Sequence, residues 1–111
     1  PSPETGKWLN EGVESLRKAG QSIFLPRGLL ARAAWHRYEG RYTEAYQDLQ
    51  EALDIAESGG MRLFLVDYHI EMARLRRLEN LPAEVEKHRA EALRRIGETG
   101  YFRRQAEAEA V

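Results

Sequence analysis

Apolar and polar positions alternate along this chain with the period of a helix. Over residues 23–39 the apolar set is Leu25, Leu29, Leu30, Ala33, Ala34 and Tyr38. Steps of three and four place those side chains on one helical face, whereas a strand would need steps of two. Gly40-Arg41 breaks the run. Residues 43–58 then carry Ala45, Leu49, Ala52, Leu53 and Ala56 on one stripe, and Gly59-Gly60 ends it, as glycine does past a helix C-terminus. The pattern returns over 63–79, turns at Asn80-Leu81-Pro82, runs again over 83–98 and stops at Thr99-Gly100. Pro82 suits a first helical turn, where its missing N–H has no intrahelical partner to lose. No segment has strand periodicity, so the predicted fold is all-α.

The return is a repeat. Offsetting the chain by 40 residues aligns ten identical pairs, among them Phe24/Phe64, Ala33/Ala73, Arg37/Arg77, Glu51/Glu91, Ala52/Ala92 and Gly60/Gly100. Ile23/Leu63, Leu30/Ile70 and Tyr38/Leu78 keep their apolar character. Leu9, Val13, Leu16 and Gly20 fall in the frame of Leu49, Leu53, Ala56 and Gly60. The expected organisation is a single helical-repeat domain over 1–111: a half repeat at 4–20, repeats at 21–60 and 61–100, and the start of another helix at 101–111. Turns this short make sequential helices antiparallel neighbours, and a single hairpin cannot bury its own stripe. The opening Pro1-Ser2-Pro3, without methionine, fits an excised piece of a longer chain.

Gly40-x-Tyr42-x-x-Ala45-x-x-x-Leu49-x-x-Ala52-Leu53, with Ala33 in the preceding helix, resembles the tetratricopeptide repeat. That resemblance implies antiparallel helix hairpins stacked as a right-handed solenoid, with alanines where helices touch. The second copy keeps Ala73, Ala92 and Leu93 but departs at Asn80, Pro82, Val85 and Arg89. The period exceeds the family's usual length of about 34 residues. In this it resembles the long-repeat arrays at the C-terminal end of bacterial signalling ATPases and helical transcription regulators, as does the phrase Leu49-Gln50-Glu51-Ala52-Leu53-Asp54-Ile55-Ala56-Glu57.

The resemblance also implies a function: a scaffold whose first helices line a concave groove that binds a peptide or protein segment. The groove positions it marks are Arg27, Leu30, Ala34, Arg37 and Tyr38, then Asp67, Ile70, Arg74, Arg77 and Leu78. Of these, Arg27, Leu30, Arg37, Tyr38, Ile70, Arg74 and Arg77 are the expected partner-binding residues. Guanidinium groups suit bidentate capture of carboxylates, so an acidic partner is expected. The lysine and asparagine set that grips a peptide carboxylate in some family members is missing. The plainer reading of these arginines is solvated charge whose stems cover apolar surface.

Composition narrows the alternatives. With 17 basic and 18 acidic residues the net charge is −1, which gives no global pull on nucleic acid or anionic membrane. The clusters Arg74-Arg76-Arg77, Arg94-Arg95 and Arg103-Arg104 are diluted by neighbouring glutamates. No cysteine exists for a disulfide or thiolate. No apolar run spans a membrane and no signal peptide is visible, so a cytoplasmic location is expected. His36, His69 and His88 fall at different repeat positions without metal-ligand spacing. No cofactor, metal or catalytic set is expected, and the chain is read as a non-enzyme. Most aromatic residues are expected in the core, with Tyr46 and Tyr68 the candidates for exposure. A second reading makes the piece a spacer, or a homodimer joined through exposed repeat ends.

Overall fold

The computed structural model describes residues 4–20 and 23–111. The opening Pro1-Ser2-Pro3 and the repeat boundary at Gln21 lie outside the described residues. Among the described residues there are helices and no strands. In order they are α1 (Thr5–Lys18), α2 (Leu25–Tyr38), α3 (Tyr42–Ser58), α4 (Arg62–Leu78), α5 (Pro82–Thr99) and, after a single 3₁₀ turn at Phe102–Arg104, the short α6 (Gln105–Ala110). None is long and apolar enough to cross a membrane. The described residues up to Gly59 form one compact unit and those from Gly60 a second. The division falls where one forty-residue repeat passes to the next.

In the first unit α1 packs on α2 and α2 on α3. Its core contains Val13, Leu29, Ala33, Leu49 and Ala52, all with essentially no exposed surface. Alanines at a helix contact let the axes approach without clash. Arg17 of α1 also grips Glu51 of α3 in an exposed ion pair. In the second unit α4 packs on α5, and α6 lies against both α5 and α4. Val66, Ile70, Ala92, Ile96 and Ala108 form its buried centre, with Leu93, Tyr101 and Val111 packed around it.

Among the described residues no α-helix has a side-chain N-cap. The turns are instead closed by backbone. Arg41 N–H donates to the His36 carbonyl at 2.8 Å, and Gly40 N–H to that of Arg37 at 3.1 Å. Leu81 and Asn80 repeat those two bonds on Arg76 and Arg77 at 3.0 and 3.1 Å. Paired bonds of this kind need a left-handed residue just past the helix. Gly40 supplies it at φ +79° and Asn80 at φ +58°. Asparagine tolerates that region better than most residues with a Cβ, though it costs about 1 kcal/mol more than glycine. The other left-handed residues among those described are Gly20, Gly60 and Gly100. All five recur at twenty-residue intervals.

One identical repeat pair meets two fates. Phe64 is buried, but Phe24 is 57% exposed. Pro26 makes α2 start at Leu25, which leaves Phe24 at the N-cap. The fourth helix starts earlier, at Arg62, and draws Phe64 into its first turn.

Candidate functional site

The expected groove residues separate by environment. Arg27 and Tyr38 are exposed on α2, while Leu30 and Arg37 are half-buried. Neither Arg27 nor Arg37 is an unpaired cation. Ile70 is a correction: it is completely buried, at the centre of the second unit. The reason is α6, whose Ala108 packs into the same cluster. Asp67 is buried too, with Arg104 Nε 2.9 Å from its carboxylate.

The same helix engages the other two residues. Arg74 donates to Glu107 at 3.1 Å and lies 3.7 Å from Glu71. Arg77 donates to the Ala110 carbonyl at 3.4 Å. Cations at the C-terminal carbonyls of a helix complement its dipole. Arg74 therefore braces α6 on α4, and Arg77 adds one long bond at the end of α6. The aromatic expectation also needs correcting. Tyr68 is buried, whereas Trp8, Phe24, Tyr38 and Phe102 are all more than half exposed.

Two buried polar clusters lie outside the expected set. The first joins α2 to α3. Arg32 holds Asp48 with two bonds, Nε to Oδ2 at 2.8 Å and Nη2 to Oδ1 at 2.7 Å. His36 Nε2 lies 3.7 Å from the same carboxylate. His36 Nδ1 accepts from Arg41 Nε at 3.2 Å, so a neutral His36 carries its proton on Nε2, toward Asp48. Burial lowers the His36 pKa below its ordinary value, and Asp48 opposes that shift. The Arg41 guanidinium lies over the Trp35 ring at 4.1 Å. His36 Nδ1 is thus taken by Arg41, and Nε2 faces the Asp48 carboxylate without reaching hydrogen-bond distance. The cluster clamps two helices.

The second joins α4 to α5. The Nδ1 atoms of His69 and His88 are 3.0 Å apart, with Tyr68 edge-on to both rings. One ring must donate and the other accept, so the contact requires at least one neutral ring. Burial first, and then His88, push the His69 pKa down to about 4; burial also lowers His88. Glu91 faces His69, but its carboxylate is gripped by Arg94 and Arg95 and held down to about 2. Among the described residues no three histidine or acidic side chains gather as a metal site.

This pair makes stability pH-dependent. Unfolded His69 titrates near 6.5 and folded His69 near 4. The unfolded chain thus binds more protons in between. The contribution is complete above about pH 6.5 and declines as pH falls toward 4. Solvent at the half-buried ring screens part of it, which leaves on the order of 1–2 kcal/mol. Urea unfolding across this window should show the decline in the native protein. It should be flatter in His69→Leu; parallel profiles would rule the pair out as the cause.

Hairpin geometry makes part of this visible in retrospect. Arg32 and Asp48 are equidistant from Gly40, and antiparallel helices bring such residues face to face. His69 and His88 do not share that symmetry, and nothing in their spacing marks them.

No protein-family model, no curated protein and no solved structure matches the chain.

Proposed function

We propose that the chain is an interaction module of the tetratricopeptide kind, a stacked array of helix hairpins that binds a protein segment. The observation that carries the reading is a recurrence. Tyr38 and Leu78 occupy the same repeat position, each directly after an arginine, and they are 69% and 51% exposed. A single exposed apolar residue needs no explanation. The same exposure at equivalent positions of two repeats is what a binding array offers: an apolar anchor presented once per repeat. The occupant this reading expects is a segment with apolar side chains, and acidic ones where arginines lie nearby. The long repeat, resembling those of bacterial signalling ATPases and regulators, supports a cytoplasmic role within a larger protein.

Panning a displayed random-peptide library against the full chain tests this. Selected peptides should combine acidic and apolar residues. The double variant Tyr38→Ser/Leu78→Ser should bind them at least about tenfold more weakly, with an unchanged far-ultraviolet circular dichroism spectrum, since both side chains lie outside the core. Equal affinity would sink the proposal. Self-association is the second reading, favoured by Trp8, Ile23 and Phe24 at 63%, 71% and 57% exposure in the first unit. A monomeric sedimentation mass at all concentrations would remove it.

A further inference from the structure

The second repeat departs from the first at Asn80, Pro82 and Val85, and the structure brings these three residues together. With Arg77 and Leu81 they line an open recess of about 280 Å³ at the turn between α4 and α5. The equivalent place in the first repeat is differently furnished. There Arg41 lies over Trp35, Tyr42 is half-buried, and Ala45 has no exposed surface. In the second repeat Leu81 is 40% exposed and Val85 only half-buried. A proline has replaced the aromatic side chain, and asparagine holds the left-handed turn position that glycine holds in the first repeat.

The lining has two kinds of chemistry. Leu81, Pro82 and Val85 make an apolar wall. Arg77 and Asn80 supply donors at its edge. Arg77 makes only the one long bond to the Ala110 carbonyl, and no carboxylate of the described residues pairs with it. A guanidinium has five N–H donors, so most of this one's capacity is unused. The volume lies just under the range of about 300–1,000 Å³ in which small molecules are enclosed. An open recess of that size takes one anchoring side chain of a longer segment.

From this combination we infer that the recess at the α4–α5 turn is a docking point for a peptide segment in which a carboxylate adjoins a branched apolar side chain. The apolar side chain seats against Leu81, Pro82 and Val85. The carboxylate pairs with Arg77, with the Asn80 amide as a second donor. The assignment rests on the interaction-module reading and specifies one of its contact points.

Amide shifts of the full chain, followed by nuclear magnetic resonance, test it with two probes, acetyl-Asp-Leu-amide and acetyl-Asn-Leu-amide. The first should move the amides of Arg77, Asn80, Leu81 and Val85 in a saturable way. The second should bind at least about tenfold more weakly, the loss expected when a charge-assisted hydrogen bond becomes neutral. Arg77→Ala should match that loss. The triple variant Asn80→Gly/Pro82→Tyr/Val85→Ala, which rewrites the turn in the pattern of the first repeat, should abolish the shifts and leave the helices intact. Equal binding of the two probes, or no shift at these amides, overturns the proposal. The same shifts produced by acetate alone also overturn it, as a small-anion site. Shifts confined to the surroundings of Tyr38 remove the recess and leave the interaction reading standing.

Discussion

Replacing Asp48 with alanine is expected to destabilise the protein by about 3–5 kcal/mol, the usual cost of removing one partner from a buried ion pair. The Asp48 side chain is 7% exposed and that of Arg32 only 15%. Without the carboxylate, the Arg32 guanidinium stays between α2 and α3 with both of its short bonds lost. Its remaining hydrogen bond among the described residues, to Asn10, is 3.3 Å long. In a chain of this size the midpoint of thermal unfolding should fall by roughly 15 °C. Replacing both partners, as Arg32→Leu/Asp48→Leu, should restore most of the loss, because the desolvation penalty disappears along with the attraction. A loss under about 1 kcal/mol for Asp48→Ala would mean that water reaches the pair and that the clamp is weak.

The second large effect is expected at Gly6. Helix propensity alone says that alanine here should stabilise α1 by up to about 1 kcal/mol. Packing says the opposite. A Cβ at Gly6 would stand 2.2 Å from Trp35 Cζ2 and 2.4 Å from Cη2. The indole is a rigid plane with the Arg41 guanidinium against it, so the ring cannot yield like the tip of a lysine. Either α1 moves off α2 or the indole leaves its site. Overpacking of this kind costs about 1–3 kcal/mol, and Gly6→Leu should reach the upper end. The same helix holds the control. Nothing lies within 4 Å of a Cβ at Gly12, so Gly12→Ala should stabilise by about 0.5–1 kcal/mol. Thermal melts of the two alanine variants should shift in opposite directions. A stabilised Gly6→Ala would show that the indole swings aside without penalty.

How much of this could be read from the residues depends on which forces decided each feature. The helices were legible because apolar spacing and glycine stops are local. The ends at Gly40, Gly60 and Gly100 lie where the pattern places them. The burial of Ile70 was not legible in the same way. Its repeat partner Leu30 is half-buried, and the difference comes from α6, a short helix that the repeat frame marks only as a beginning. Arg74 and Arg77 stand out in the sequence as groove cations for a partner, but family geometry could not show that α6 of the same chain supplies Glu107 and the Ala110 carbonyl to them. The histidine pair depends on the rotation of two helices about their own axes, which one sequence does not encode in any spacing. The departures of the second repeat were visible as departures; their convergence on one recess needed coordinates.

The five left-handed residues at 20, 40, 60, 80 and 100 have a consequence for how such a chain can change length. Adding one residue inside a helix turns everything beyond it by about 100°, taking its apolar stripe off the core and its closing residue out of register with the turn bonds. Removing or copying a block of forty carries each helix, its stop and its backbone-closed turn together, and every junction joins a stop to a start that already occurs in the chain. Variation in size among chains of this kind should therefore come in whole blocks, with single-residue insertions confined to the links. The unit of inheritance would be the hairpin with its punctuation attached.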